Sequence, residues 1–202
     1  MSDPIPLSGP VTGEREEALM LEALRSGRLS LGPKLREFED AFSRWLGVDR
    51  ASAVSSGTAG LHLAVRAAGV EPGDEVLTTP LSFVASANCV LYEGARPVFC
   101  DIHPRTLNID PAAAQAAVGE RTAGLLPVHV FGYPADMPAL ERIAQAHGLW
   151  IVEDACEALG GRHADGPAIG ARGNLSVFGF YANKQMTTGE GGMEVCPIDA
   201  HK

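Results

Sequence analysis

Basic residues are scarce in this chain: 16 Lys and Arg stand against 25 Asp and Glu, a formal net charge of −9. A surface of that sign repels phosphate backbones and anionic bilayers, which argues against nucleic acid and membrane surfaces as partners while leaving room for a locally positive pocket. Cysteine is sparse too. Cys89, Cys100, Cys156 and Cys196 show no C-x-x-C spacing, and three lie in apolar, strand-like surroundings. They read as buried free thiols rather than a disulfide framework or a metal site. The start, Met1-Ser-Asp-Pro-Ile-Pro, has no basic region followed by an apolar run, so no secretory leader is predicted. No stretch is long and apolar enough to span a bilayer, and the expected location is cytoplasmic. Repeats, low-complexity tracts and flexible linkers are absent. With 46% hydrophobic and 20% charged residues, the 202 residues suit one large domain, or a domain and part of another.

What is present is an alternation. Two helical segments come first, at 13–26, with Ala18, Leu21 and Leu24 on one face, and at 33–46, with Leu35, Phe38, Phe42, Trp45 and Leu46. Pro33 near the start and Gly47 just past the end of the second fit helix punctuation. Seven strands are then predicted at 51–55, 74–79, 97–102, 123–130, 149–154, 175–181 and 192–196. Helices are predicted between them at 58–69, 82–93, 110–118 and 136–147. Strands apolar on both faces, alternating with helices, predict an α/β fold with a mostly parallel sheet covered on each side. The last two strands are joined by a short turn-rich segment and are expected to break that alternation. Three units follow: an N-terminal helical segment at 1–50, a large domain at 51–196 and an atypical tail at 197–202. Glu194 interrupts the last strand and nothing after it covers the sheet, so the C-terminus is expected to be cut off.

Four places carry chemistry. Lys184 leaves the apolar run Phe178-Gly-Phe-Tyr-Ala-Asn and enters a Thr/Gly-rich turn. Burial there would free its amine to form a Schiff base with an aldehyde cofactor; taken alone, it reads first as a strand-end Lys reaching to water. Ser56-Gly57-Thr58 forms a tight turn from strand to helix, where N–H groups and the dipole suit a phosphate. Such a turn also caps helices without binding anything. Trp150-Ile-Val-Glu153-Asp154 ends an apolar strand in two acids whose side chains point to opposite faces. Asp154, beyond the carboxyl end of its strand, is placed to hold a pyridine nitrogen protonated, or is a solvated acid. Phe83 is expected to open a helix at the same edge, where its ring either stacks on a planar cofactor or fills the core.

Together, and in that order, these pieces resemble the fold-type I pyridoxal phosphate enzymes, and in particular the DegT/StrS family of sugar aminotransferases. The matching stretches include Ser26-Gly-Arg-Leu-Ser-Leu-Gly-Pro33, Thr79-Pro-Leu-Ser-Phe-Val-Ala-Ser86, Pro127-Val-His-Val-Phe-Gly132, Glu153-Asp-Ala-Cys-Glu-Ala158 and Asn183-Lys-Gln-Met-Thr-Thr-Gly-Glu-Gly-Gly192. The last is similar to members of the perosamine-synthase kind. The resemblance implies a pyridoxal 5′-phosphate cofactor, with Lys184 as the catalytic Lys, Asp154 on the pyridine nitrogen, Phe83 on the ring, and Gly57 and Thr58 on the phosphate. Glu157 stands where relatives carry Gln or His near the phenolic oxygen. Gly179 stands where many have a phosphate-binding Ser, and Tyr133 replaces a common Gln. The implied reaction moves an amino group from Glu or Gln to a nucleotide-linked keto-sugar, in a homodimer. The resemblance also implies a smaller C-terminal domain missing here. Two rivals remain: a non-catalytic cofactor- or sugar-binding homologue, and a related sugar dehydratase, whose relatives carry His in place of the Lys.

Overall fold

The structure, a computed structural model, describes residues 8–196; the atypical tail at 197–202 lies outside the described residues. Two helices lead, α1 (Glu14–Arg25) and α2 (Pro33–Leu46). There follow β1 (Ala51–Val54), α3 (Gly57–Ala67), β2 (Glu75–Thr78), α4 (Ala85–Tyr92), β3 (Arg96–Phe99), α5 (Pro111–Ala117), β4 (Thr122–Leu125), α6 (Met137–His147), β5 (Trp150–Asp154), β6 (Leu175–Gly179) and β7 (Gly192–Val195). The seven strands form one sheet in the order β1-β7-β6-β5-β4-β2-β3. Neighbours from β6 to β3 run parallel, while β7 lies antiparallel between β1 and β6. The fold is thus the expected α/β one. The departure also falls where expected: the turn-rich segment between β6 and β7 holds no helix to cross over the sheet, and β7 returns antiparallel beside β6.

Strand periodicity sorts the core into layers. Val76, Leu126, Val152 and Val177 pack with Leu61, Ala64 and Val65 of α3 and Cys89 and Val90 of α4. Their chain neighbours Leu77, Leu125 and Ile151 pack on the other face with Met137, Leu140 and Ile143 of α6. Toward the β1 end, Phe178, Met193 and Val195 meet Phe42 and Leu46 of α2. Both faces are therefore covered, and burying each such side chain contributes about 1.5–3 kcal/mol. Helix α2 is bounded as predicted, with Pro33 in its first turn and Gly47 closing it at φ 76°, a left-handed conformation that favours glycine.

Three expectations need adjustment. The strand predicted at 123–130 ends at Leu125, because Pro127 offers no N–H to a ladder; pairing resumes only as a bridge between Val128 and Asp154. The helix predicted at 82–93 begins at Ala85, which leaves Phe83 in the turn before it, 71% exposed. Helix α1 forms but buries none of its residues, and Leu21 and Leu24 lie exposed. Cys89, Cys100 and Cys156 carry free thiols as read; Cys89 and Cys100 are buried, Cys156 and Cys196 only half-buried.

Candidate active site

Four connections converge beyond the carboxyl edge of the sheet. The turn Ser56-Gly57-Thr58 follows β1, the segment 79–84 follows β2, Asp154 ends β5, and Lys184 lies in the turn after β6. Together they enclose a cavity of about 440 Å³, lined by Gly57, Thr58, Phe83, Asp154, Glu157 and Lys184 among others. Every residue singled out from the sequence as a site candidate is at this one place.

The α3 end is built by close packing. Ser56 caps the helix, its hydroxyl accepting from the Ala59 N–H at 3.1 Å, so that hydroxyl is already engaged. A Cβ on Gly57 would sit 2.7 Å from Cys156 Sγ, and one on Gly179 would sit 3.2 Å from Cys156 Cβ. Cys156 thus occupies the space that a side chain at either glycine would need. A Ser at position 179 would need Cys156 to give way by a few tenths of an ångström.

Asp154 shares its face with Val152 and looks toward α3 and α4, while Glu153 looks the other way. The Asp154 carboxylate takes two hydrogen bonds, from Ser86 Oγ to Oδ2 at 2.7 Å and from the Cys156 N–H to Oδ1 at 3.1 Å. Ser86 is buried in the first turn of α4 and is joined at 2.7 Å to Ser82 Oγ in the cavity wall. Sequence reasoning missed this hydroxyl chain; the i, i+4 spacing of the two serines was the available signal.

Lys184 Nζ donates to Glu157 Oε1 at 3.1 Å, and Glu157 Oε2 accepts from the Phe131 N–H at 3.1 Å. Gln185 donates to the Glu157 carbonyl, so the Lys184 turn is held to the β5 end at two points. Burial, and then the Asp154 charge, push the Cys156 thiol well above its ordinary range; burial does the same for Cys89, to about 12. The Cys156 thiol, protonated near neutrality, is a poor nucleophile, and Lys184 is the one amine among the described lining residues. Among the described lining residues, that one cation faces three carboxylates, Asp154, Glu157 and Glu190. An anionic ligand there depends chiefly on the N–H groups and dipole of α3.

On the opposite face, buried His129 and His163 lie near Glu153 with ligand-like spacing. The bonding assigns a different role. His129 Nδ1 accepts from the Ala135 N–H at 3.0 Å, so its proton is on Nε2 and is given to Glu153 at 2.9 Å. That tautomer has no Nε2 lone pair for an ion. The contact ties β5 to the loop that carries Phe131.

A model of the DegT/DnrJ/EryC1/StrS aminotransferase family matches residues 10–200. The chain belongs to this family. It is 47% identical over 189 residues to the spore coat polysaccharide biosynthesis protein SpsC of Bacillus subtilis, covering 94% of this chain and 48% of that protein. It is 42% identical over 190 residues to the GDP-perosamine synthase of Caulobacter vibrioides, covering 94% of this chain and 51% of that one. The crystal structure of an aminotransferase from Psychrobacter cryohalolentis superposes with a TM-score of 0.92 at 34% identity, over 98% of this chain and 50% of that one. The chain spans about half the length of the curated relatives it matches. Membership of an aminotransferase family implies a pyridoxal 5′-phosphate cofactor. The cavity fits that group: it offers an amine, a buried carboxylate and the N-terminus of α3.

Proposed function

We propose that this chain carries the cofactor half of a pyridoxal phosphate-dependent aminotransferase that moves an amino group from Glu or Gln to a nucleotide-linked keto-sugar. The observation that carries the reading is Lys184 Nζ opening on the same cavity as Asp154, Phe83 and the start of α3. Residues 51–196 act as the cofactor-binding unit, preceded by the helical segment 1–50. In line with the family resemblance, the full-length enzyme works as a cytoplasmic homodimer.

Each residue has a distinct task. Backbone N–H groups of Gly57 and Thr58, with the Thr58 hydroxyl, receive the phosphate. Phe83 covers one face of the ring, and Asp154 accepts the pyridine N–H. When bound, the cofactor supplies an electron sink for the carbon that loses its proton. Lys184 would hold the group through Nζ and, once freed by the amino donor, would be the base that takes the proton from the donor Cα and delivers it to the cofactor's aldehyde-derived carbon. Glu157, now on Nζ, must release the amine before it can attack.

The test is direct. Pyridoxal phosphate is added to the purified chain, the adduct is reduced with borohydride, and the peptides are mapped. A pyridoxyl group on Lys184, absent from Lys184→Ala, is the expected result. A folded chain that takes none refutes the reading.

A further inference from the structure

Ser86 has almost no exposed surface and belongs to no part of the cavity wall, yet its hydroxyl is a junction of three contacts. It lies 2.7 Å from Asp154 Oδ2, 2.7 Å from Ser82 Oγ and 3.2 Å from the Phe83 carbonyl. A carboxylate only accepts, so the Ser86 proton points to Asp154. The Ser86 oxygen is then free to accept, and the Ser82 proton points to Ser86. The result is a one-way chain of hydroxyls from the cavity wall to a buried carboxylate, each bond polarising the next.

The same residue grips the turn that carries Phe83. Its backbone N–H donates to the Phe83 carbonyl at 3.2 Å, and its side chain reaches 68 positions along the chain to Asp154. One serine thus sets the register between an element after β2 and the end of β5, two strands that are not neighbours in the sheet. Those elements supply the two groups assigned above to a single ring, its face to Phe83 and its nitrogen to Asp154.

We propose that Ser86, backed by Ser82, is a positioning residue that fixes the Asp154 carboxylate against the cofactor nitrogen and aligns it with Phe83. The inference rests on the pyridoxal phosphate reading above. Because Ser86 acts through Asp154, its loss changes how the bound cofactor titrates as well as how tightly it is held.

The experiment compares the full chain with Ser86→Ala, Ser86→Thr and Ser82→Ala, each loaded with pyridoxal phosphate. Two quantities are read: the dissociation constant, and the pH midpoint of the bound cofactor's visible band. Ser86→Ala is expected to bind about tenfold more weakly, the scale of a lost hydrogen bond to a charged group, and to shift the midpoint. Ser86→Thr, which keeps the hydroxyl, restores both. Ser82→Ala removes only the second bond and shifts the midpoint in the same direction, by less. That variant decides the matter if Ser86→Ala does not fold, and a midpoint unchanged by it then overturns the proposal. A wild-type chain that takes no cofactor on Lys184 overturns the functional reading and this inference with it. A loaded wild type whose midpoint is matched by Ser86→Ala overturns this inference alone, since Ser86 would then serve packing only.

Discussion

Gly57→Ala tests the packing that underlies the site. Gly57 is the first residue of α3, and a Cβ there would meet Cys156 Sγ at 2.7 Å. The sulfur has little freedom to retreat, since it donates to the Val177 carbonyl at 3.7 Å and lies against Gly179. Overpacking of this kind costs about 1–3 kcal/mol. Against it stands the gain of Ala over Gly in a helix, about 1 kcal/mol at most and less in the first turn. The net expectation is a loss of about 2 kcal/mol, a drop of roughly 4–8 °C in Tm for a chain of this size. Cys156→Ala should relieve it. Without the sulfur, the next atoms are Gly179 Cα at 3.4 Å and the Cβ of residue 156 at 3.9 Å, ordinary contacts or nearly so. Urea unfolding of the wild type, both single variants and the double variant gives the coupling, expected at about 1–2 kcal/mol in the compensating direction. Full additivity, or a Gly57→Ala chain as stable as the wild type, would refute the steric account of this turn.

Two further outcomes follow from charges. Glu157→Gln removes the ionic partner that Nζ must leave, and such a half-exposed pair holds about 1 kcal/mol, so adduct formation should be roughly fivefold faster by stopped-flow absorbance; a slower variant would mean that Glu157 assists the attack. The urea midpoint should fall in two stages as pH is lowered. Burial depresses His163, whose Nε2 has no partner, so below its ordinary 6.5 the unfolded chain takes up a proton that the folded one refuses. His163→Phe should abolish that stage, and a parallel decline in the variant would count against it. The second stage belongs to Glu153: burial would raise its carboxyl, but His129 and Asn174 hold it below the usual 4.5, so its contribution is lost as pH falls through the folded value.

Much of the sheet was legible because its signals are local. Apolar runs bounded by Gly and Pro mark the strands, and period two alone tells Glu153 from Asp154. Lys184 stood out because an ammonium fits poorly between an apolar strand and a Thr/Gly turn. Pairing order was not legible. Strands such as Val-Leu-Thr and Trp-Ile-Val are interchangeable in character, and which two lie together depends on contacts distant in sequence. Phe83 was expected in a helix because its segment has helical spacing. The structure keeps it in the turn, where its carbonyl takes a bond from the Ser86 N–H ahead of α4. The His129–Glu153 contact was hidden for a related reason: each residue looks unremarkable until the sheet brings them face to face across 24 positions.

The least regular strand explains why the site closes. β7 runs between β1 and β6, so its first residue, Gly192, lies against the Ser56-Gly57 turn: a Cβ there would meet Ser56 C at 2.9 Å, Gly57 N at 3.0 Å and the Phe178 carbonyl at 2.8 Å. Any other residue would force the start of α3 away from β6. With it would go the approach of Gly57 to Cys156, the residue whose N–H donates to Asp154. The helix N-terminus and the carboxylate are therefore not independent features on a common scaffold. They are held at a fixed separation by glycine contacts through one antiparallel strand, and the Lys184 turn, which leads into that strand, is held by the same insertion.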